Sequence, residues 1–284
     1  MKSRLPANRV LKCAGVAMLV LSILPVVLSA VLVAPHAVFI DHRSRTGQIT
    51  LANPGTEPEE IEIELKFGYP ETDSAGNPYV KLIDDPPPGA PSAAGWIRAF
   101  PRRVRLEPGQ RQVVRLLATP PADLPDGEYW SRVIVTSRKI ADVVASPDTT
   151  LRAGLALELR TIISVMYRKG SVNTGVVLKN LQPRLEGDSL IAWVDLERLG
   201  NAAYLGTIRF TILDEAERVV NEWATPVAVY YTHNRRFAFP LDTVPPGQYH
   251  VRFEVTTERK DLDQNNILPA DSVGRSFGLE KPEQ

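Results

Sequence analysis

The chain has 284 residues, and its 33 lysines and arginines are balanced by 33 aspartates and glutamates, so the formal net charge is zero. Proteins that bind nucleic acid usually carry a basic excess or a basic stripe, so the composition argues against that class of partner. The length suits about two ordinary domains. The single cysteine, Cys13, excludes a small scaffold held together by disulfides.

The N-terminus has the pattern of a targeting segment, in which basic residues precede an apolar run and small residues mark a cleavage point. The basic residues are Lys2, Arg4, Arg9 and Lys12, the apolar run extends from Ala14 to Ala34, and Ser29 and Ala30 are small. Residues 1–30 are therefore predicted to be a signal peptide for export through the inner membrane. The run is also long enough to span a bilayer, so an uncleaved membrane anchor is the alternative.

The first block, residues 31–168, reads as a series of strands. Gln48 to Ala52 is apolar and ends at a turn signal, Asn53-Pro54-Gly55. From Ile61 to Phe67, apolar residues alternate with charged ones, which predicts a half-buried strand. Gly68 to Gly95 is rich in proline and glycine and is predicted to be a long loop.

Further strands follow in the same block. Trp96 to Phe100 is short and extended, and Glu107 to Gln110 has the composition of a turn. The apolar residues between Val113 and Leu117 predict a buried strand. Gly127 to Thr136 is predicted to be another strand.

A long strand from Leu155 to Arg168 closes the block. Six apolar residues share one parity and would point to one face of an extended strand, namely Leu155, Leu157, Leu159, Ile163, Val165 and Tyr167. This pattern is typical of a core strand in an all-β domain. It also fits a strand whose leucines are offered to another protein, and the pattern alone leaves both interpretations open.

The second block, residues 169–284, has the same texture. Apolar residues alternate from Leu190 to Leu196, an acidic turn at Asp214 to Glu217 separates two strands, and Pro245-Pro246-Gly247 leads into another. The 24 prolines of the chain argue against long helices. We therefore predict an all-β protein of two immunoglobulin-like β-sandwich domains in tandem, over residues 31–168 and 169–284.

The residue types that carry catalysis do not form a recognisable constellation. The four histidines, His36, His42, His233 and His250, have no metal-ligand spacing, and there is no nucleophile elbow or phosphate loop. The sequence therefore predicts no enzyme, no metal, no cofactor and no small-molecule substrate.

The first block resembles the N-terminal immunoglobulin-like domain of periplasmic pilus-assembly chaperones, the PapD-like family. Four ordered segments carry the resemblance, and they are Gly47 to Asn53, Arg105 to Gln110 followed by Val114-Arg115-Leu116, Leu124 to Tyr129, and Tyr167-Arg168. The resemblance covers about half of the chain and does not extend to a specific motif in the second block.

The resemblance implies how the chain would act. In the family, the last strand of the first domain lends alternating apolar side chains to a pilin that lacks its own final strand. Leu155, Leu157 and Leu159 occupy the matching positions. Glu128 and Arg168 match an ion pair that links the two domains in the family.

Two positions depart from the family, which anchors the C-terminal carboxylate of a pilin with an arginine and a lysine in the cleft. The corresponding residues are His36 and Ser164, and neither is a permanent cation. Arg160 lies four residues before Ser164, roughly 13 Å along a strand, which is too far to substitute for the lysine.

Two functions from different classes follow. The first is a periplasmic chaperone that shelters exported, pilin-like or other β-rich subunits by strand donation, with an outer-membrane usher as a further partner. The second is a structural or interaction module of tandem immunoglobulin-like domains in the cell envelope, anchored by the N-terminal segment. The retained leucines and the Glu128/Arg168 pair favour the first, and the missing cleft cations favour the second.

Overall fold

The structure is a computed structural model that describes residues 31–139 and 158–283. The described residues form an all-β protein of two sandwiches. The strands of the first sandwich are β1 (Leu32–Ala34), β2 (Ala37–Asp41), β3 (Thr46–Ala52), β4 (Glu59–Thr72), β5 (Pro78–Ile83), β6 (Ile97–Phe100), β7 (Arg103–Leu106), β8 (Arg111–Ala118), β9 (Gly127–Lys139) and β10 (Glu158–Lys169).

The second sandwich follows after a short connection from Lys169 to Thr174. Its strands are β11 (Thr174–Glu186), β12 (Ser189–Gly200), β13 (Tyr204–Leu213), β14 (Val219–Val229), β15 (Thr232–Pro240), β16 (Gly247–Thr256) and β17 (Val273–Lys281). A 3-10 turn at Gln264–Asn266 is the one helical element in the described part of the chain. No helix in that part has the length and apolar character that a membrane span requires.

Each sandwich is made of two sheets. In the first, a four-stranded sheet in the order β1-β3-β8-β6 faces a six-stranded sheet in the order β2-β10-β9-β4-β5, and β7 also pairs with β4. In the second, β11-β12-β15 faces β14-β13-β16-β17. The alternation of apolar and polar residues explains this arrangement, because the apolar face of each sheet is buried against the other sheet.

The core of the first sandwich is contributed by both of its sheets. Ile49 and Leu116 of the four-stranded sheet pack in the same cluster as Ile63, Val133 and Val165 of the six-stranded sheet, and all five are completely or almost completely buried. The second sandwich has its own core, which includes Phe210 and Phe253.

A third cluster joins the two sandwiches. Phe67, Trp130 and Met166 of the first pack with Leu205 and Tyr230 of the second. The rings of Trp130 and Tyr230 meet edge to face, with centroids 4.6 Å apart. Burial of this aromatic cluster holds the sandwiches together beside the end of β10.

The prediction of a long loop from Gly68 to Gly95 was wrong. Strand β4 continues to Thr72, turns at Asp73 to Asn77, and pairs with β5. The Asp73 side chain accepts backbone hydrogen bonds from Ala75 and Asn77 at 2.9 and 2.8 Å, which closes the turn.

The prediction of a buried strand from Val113 to Leu117 is correct for only one face of that strand. Strand β8 alternates, so that Val114 and Leu116 are buried whereas Val113 and Leu117 are 42% and 45% exposed. The apolar run therefore contributes only one face to the core, and the other face is open.

Candidate functional site

Strand β10 is paired on one edge along its whole length but on the other edge along only half of it. It pairs antiparallel with β9 from Glu158 to Lys169. Its parallel pairing with β2 covers only Ser164 to Arg168. Among the described residues, no strand pairs with the second edge of β10 from Glu158 to Ile163. This half of the strand therefore presents backbone donors and acceptors that another chain could use.

The side chains on one face of β10 change from exposed to buried along the strand. Ile163, Val165 and Tyr167 are buried in the first core, whereas Leu159 is 39% exposed on the unpaired half. Leu155 and Leu157 lie outside the described residues, so only Leu159 of the three predicted donor leucines has a described position.

The opposite face of the unpaired half carries charges. Glu158 accepts hydrogen bonds from Arg138 at 2.8 Å and from Arg160 at 2.9 Å. These bonds, first from Arg138 and then from Arg160, lower the pKa of the Glu158 carboxyl. The Arg160 guanidinium is thus engaged at the far end of β10, away from the cleft between the sandwiches.

The structure brings Glu128 and Arg168 together at the junction of the sandwiches. Arg168 Nε donates to Glu128 Oε2 at 2.8 Å, and the Glu128 side chain is completely buried. Glu128 Oε1 accepts from the Trp130 indole at 2.9 Å and from the backbone N–H of Ala203 at 3.0 Å. Both carboxylate oxygens are therefore satisfied, which a buried charge requires.

Arg168 also contacts the second sandwich. Its Nη1 donates to the backbone carbonyl of Asn266 at 2.7 Å. Its guanidinium lies over the Phe39 ring, 4.7 Å from the ring centroid. Because Ala203 and Asn266 both belong to the part of the chain after Lys169, the ion pair bonds to both sandwiches.

His36 and Ser164 lie together at the mouth of a cleft between the sandwiches. The backbone N–H of Ser164 donates to the carbonyl of His36 at 3.3 Å. Both line a cavity of about 210 Å³, with Met166 from the first sandwich and Leu205 and Tyr230 from the second.

Sequence reasoning missed a buried cation in this cleft, Arg132 of β9. Its Nε donates to the carbonyl of Gly68 at 3.0 Å, Nη1 contacts the Ser164 hydroxyl, and the guanidinium packs over the Tyr230 ring at 5.0 Å. Arg132 Nη2 is buried and has no hydrogen-bond partner among the described residues. The inference from His36 and Ser164 that the cleft lacks a permanent cation is thereby corrected.

The sequence contained a signal for Arg132. In an antiparallel pair of strands, the register that sets Glu128 opposite Arg168 also sets Arg132 opposite Ser164, four residues along each strand. An arginine on β9 can therefore place its charge beside Ser164, the position at which the family has a lysine on β10.

A second arginine lines the same cavity, but it is already paired. Arg259 donates to both oxygens of Asp261, at 2.7 and 2.6 Å. These hydrogen bonds lower the pKa of the Asp261 carboxyl. Arg132 and Arg259 therefore differ, because only Arg132 has a buried donor left over. In the described part of the chain, no group of three metal-ligating side chains comes together.

Comparisons with known proteins find matches among solved structures but none among sequences. No protein-family model matches the sequence, and no curated protein sequence does. The class 5 fimbriae chaperone CfaA is 13% identical, covering 90% of this chain and 100% of its own, with a TM-score of 0.41. The CupB2 chaperone of Pseudomonas aeruginosa is 15% identical, covering 87% of this chain and 98% of its own, with a TM-score of 0.39.

A chain of the complex between the Salmonella enterica SafA pilin and the SafB chaperone is 14% identical, covering 88% of this chain and 97% of its own, with a TM-score of 0.41. The chain is similar to chaperones of pilus assembly. These identities are low, and the fold described above rests on the strand order and pairing of this chain itself.

Proposed function

We propose that this protein is a non-enzymatic, chaperone-like protein of the periplasm that shelters exported, pilin-type subunits by β-strand donation. The observation that carries the proposal is the half-paired strand β10, whose edge from Glu158 to Ile163 has no partner strand in the described part of the chain, beside a fully paired stretch from Ser164 to Arg168. A strand built this way is held in place by β9 and can still accept a partner strand on its other edge.

Strand donation has a simple physical basis here. The open edge would give backbone hydrogen bonds to the subunit, and side chains on alternate residues would fill its pockets. Leu159 is the described side chain on the correct face, and Leu155 and Leu157 continue its parity in the sequence. A subunit held in this way cannot offer its own unpaired edge to other subunits.

We propose that the cleft holds a carboxylate of the subunit through Arg132. Its Nη2 is a buried charged donor that has no partner among residues 31–139 and 158–283, and such a group costs free energy until an acceptor arrives. A carboxylate is the acceptor that matches a guanidinium best, because charge-assisted bonds are the strongest.

The Glu128/Arg168 pair would fix the angle between the sandwiches and thereby the width of this cleft. Its bonds to Ala203 and Asn266 support that role. The apolar N-terminal segment would deliver the chain to the periplasm, as a cleaved signal or as an anchor. An outer-membrane usher would be the next partner of a loaded chaperone.

The test compares two exposed apolar residues on opposite faces of the same strand. Leu159 and Ile162 are 39% and 36% exposed. Leu159→Ser should weaken binding of a subunit about tenfold to a hundredfold, since seating a leucine contributes ~1.5–3 kcal/mol. Ile162→Ser should bind nearly as well as the wild type.

The subunit would first be identified by co-purification with the tagged chain from envelope extracts, then purified and rebound to each variant. Thermal melting of both variants shows whether the fold is kept. Equal binding by the two variants would contradict strand donation and favour an interaction module of the envelope.

A further inference from the structure

The outward face of the four-stranded sheet carries arginines and apolar side chains and no acid. We name it the arginine face, and it consists of Arg98, Arg111 and Arg115 together with Leu32, Phe100, Val113 and Leu117. The four apolar residues are 61%, 54%, 42% and 45% exposed in that order. Large exposed apolar side chains gathered on one face mark an interaction surface more often than single ones do.

The strand register places the arginines of this face next to its apolar side chains. Along β8, the outward residues are Arg111, Val113, Arg115 and Leu117 in succession. Arg115 lies beside Phe100 of β6, and Leu117 lies beside Arg98. Neighbouring strands are roughly 4.8 Å apart, so each guanidinium lies next to an apolar side chain.

The charge of this face is not compensated. None of its four strands contains an aspartate or glutamate. Within residues 31–139 and 158–283, Arg98, Arg111 and Arg115 form no ion pair, whereas the other sheet of the same sandwich pairs Arg103 with Glu62 at 2.7 Å and Arg138 with Glu158 at 2.8 Å. The face therefore presents a local excess of positive charge on a chain whose net charge is zero.

One edge strand of the face follows the apolar N-terminal run in the sequence. Strand β1 forms the edge of this sheet, and in the sequence the run from Ala14 to Ala34 leads directly into it. A chain attached to a bilayer through that run would have one edge strand of this face close to its point of attachment.

We propose that the arginine face docks on the surface of a bilayer that contains anionic phospholipids. Guanidinium groups bind phosphate oxygens in a bidentate manner, and the neighbouring apolar side chains can enter the boundary between headgroups and acyl chains. Strand β10 and the cleft belong to the other sheet and to the junction, so docking leaves them open. The proposal goes beyond the proposed chaperone role and does not depend on it.

The experiment uses the full chain with Cys13→Ser and an environment-sensitive fluorophore at Gln48→Cys, an exposed residue in the middle of the face. The chain is reconstituted in vesicles of phosphatidylcholine alone or with phosphatidylglycerol. Spin-labelled lipids should quench the fluorophore only when phosphatidylglycerol is present, and high salt should release it. A fluorophore at Ser276→Cys, on β17 of the second sandwich, should stay unquenched.

Replacing the three arginines by glutamine should lower the ratio of docked to free face by about a hundredfold, because each basic residue near an anionic surface contributes about a factor of five. Replacing them by lysine should keep most of the docking. The charge-matched control is Arg252→Gln/Lys260→Gln/Arg275→Gln on the second sandwich, which should behave as the wild type. Thermal melting confirms that each variant is folded.

Three results would overturn the proposal. Absence of quenching in both kinds of vesicle means that the face does not reach the lipid. Equal quenching in both, unchanged by the arginine substitutions, means that the tether alone brings it there. Shielding of the fluorophore without lipid, rising with protein concentration, means that the face is an interface between copies of the chain.

Discussion

Glu128 is a charged residue of the first sandwich whose side chain is completely buried. Its buried carboxylate accepts three hydrogen bonds, from Trp130, Arg168 and Ala203. Replacing one member of such a buried pair leaves the other charge uncompensated, which is far more costly than the loss of an exposed pair.

A double-mutant cycle on this pair should therefore give a large coupling. Glu128→Gln or Arg168→Met alone should lower the free energy of unfolding by about 3–5 kcal/mol, and the double variant by much less than the sum. Urea unfolding of the four proteins measures the coupling. The exposed pair Glu62/Arg103 is the control, and its coupling should be a small fraction of the first. Equal couplings would show that Glu128 and Arg168 do not act as a buried pair.

His233 of β15 is a buried histidine with no described partner for either ring nitrogen. Burial, with a further contribution from Arg235, lowers the pKa of His233 to about 4 from its ordinary value of 6.5. The folded protein thus binds this proton less readily than the unfolded chain does. The contribution of neutral His233 to the free energy of unfolding is complete above pH ~6.5 and is lost as the pH falls to about 4.

The loss should amount to about 3 kcal/mol across that interval. His233→Leu removes the titrating group, so the difference in unfolding free energy between the variant and the wild type should shift by that amount between pH 7.5 and pH 4. Comparing the two proteins at each pH cancels the titration of the carboxylates. A difference that stays constant with pH would mean that His233 is accessible to protons in the folded state.

At the scale of elements, the β4–β5 hairpin reaches from the first sandwich to the second. The carbonyl of Gly76 in its turn accepts a hydrogen bond from Arg236 N at 3.3 Å. A Cβ atom on Gly76 would lie 2.5 Å from that nitrogen and 2.9 Å from the Trp193 ring. The glycine is required both by its φ of +79° and by this close approach.

Gly76→Ala should destabilise the protein more than Gly89→Ala does. Both glycines have nearly the same positive φ, 79° and 80°, but a Cβ on Gly89 meets nothing within 4 Å. Backbone strain of about 1 kcal/mol is common to both variants. Any further decrease in the stability of the Gly76 variant therefore measures the contact with the second sandwich. Thermal melting gives both values. Equal losses would show that the hairpin tip contributes nothing across the junction.

The strands that were predicted well are those in which period-two alternation is strong, such as Ile61 to Phe67 in β4. Strand β5 was missed because the stretch around it is rich in proline and glycine and resembles a loop, although the Asp73 side chain closes a hairpin turn between β4 and β5. The exposure of Val113 and Leu117 was missed because an apolar run does not reveal which of its faces is covered. The arginine face depends on that distinction.

At the scale of the whole molecule, the sequence predicted two sandwiches in tandem and the described strands form two sandwiches. The domain limits at residues 31–168 and 169–284 stay a prediction, and we propose them as the folding units. The resemblance led us to expect the Glu128/Arg168 pair at the junction. It did not predict the aromatic packing there, which depends on residues distant in sequence, such as Trp130 and Tyr230, that meet only when both sandwiches exist. Arg132 was overlooked because it lies on the neighbouring strand β9, opposite Ser164, and not on β10, where the family has its lysine.

The most direct test of strand donation is amide hydrogen exchange in β10 with and without the bound subunit. The N–H of Ser164 points toward β2, and successive residues of a strand point their N–H groups to alternate edges. The N–H groups of Arg160 and Ile162 therefore point to the open edge, and those of Thr161 and Ile163 point to β9. Strand donation predicts that Arg160 and Ile162 become strongly protected in the complex while Thr161 and Ile163 change little. Unchanged exchange at Arg160 and Ile162 in a complex that has formed would contradict the account.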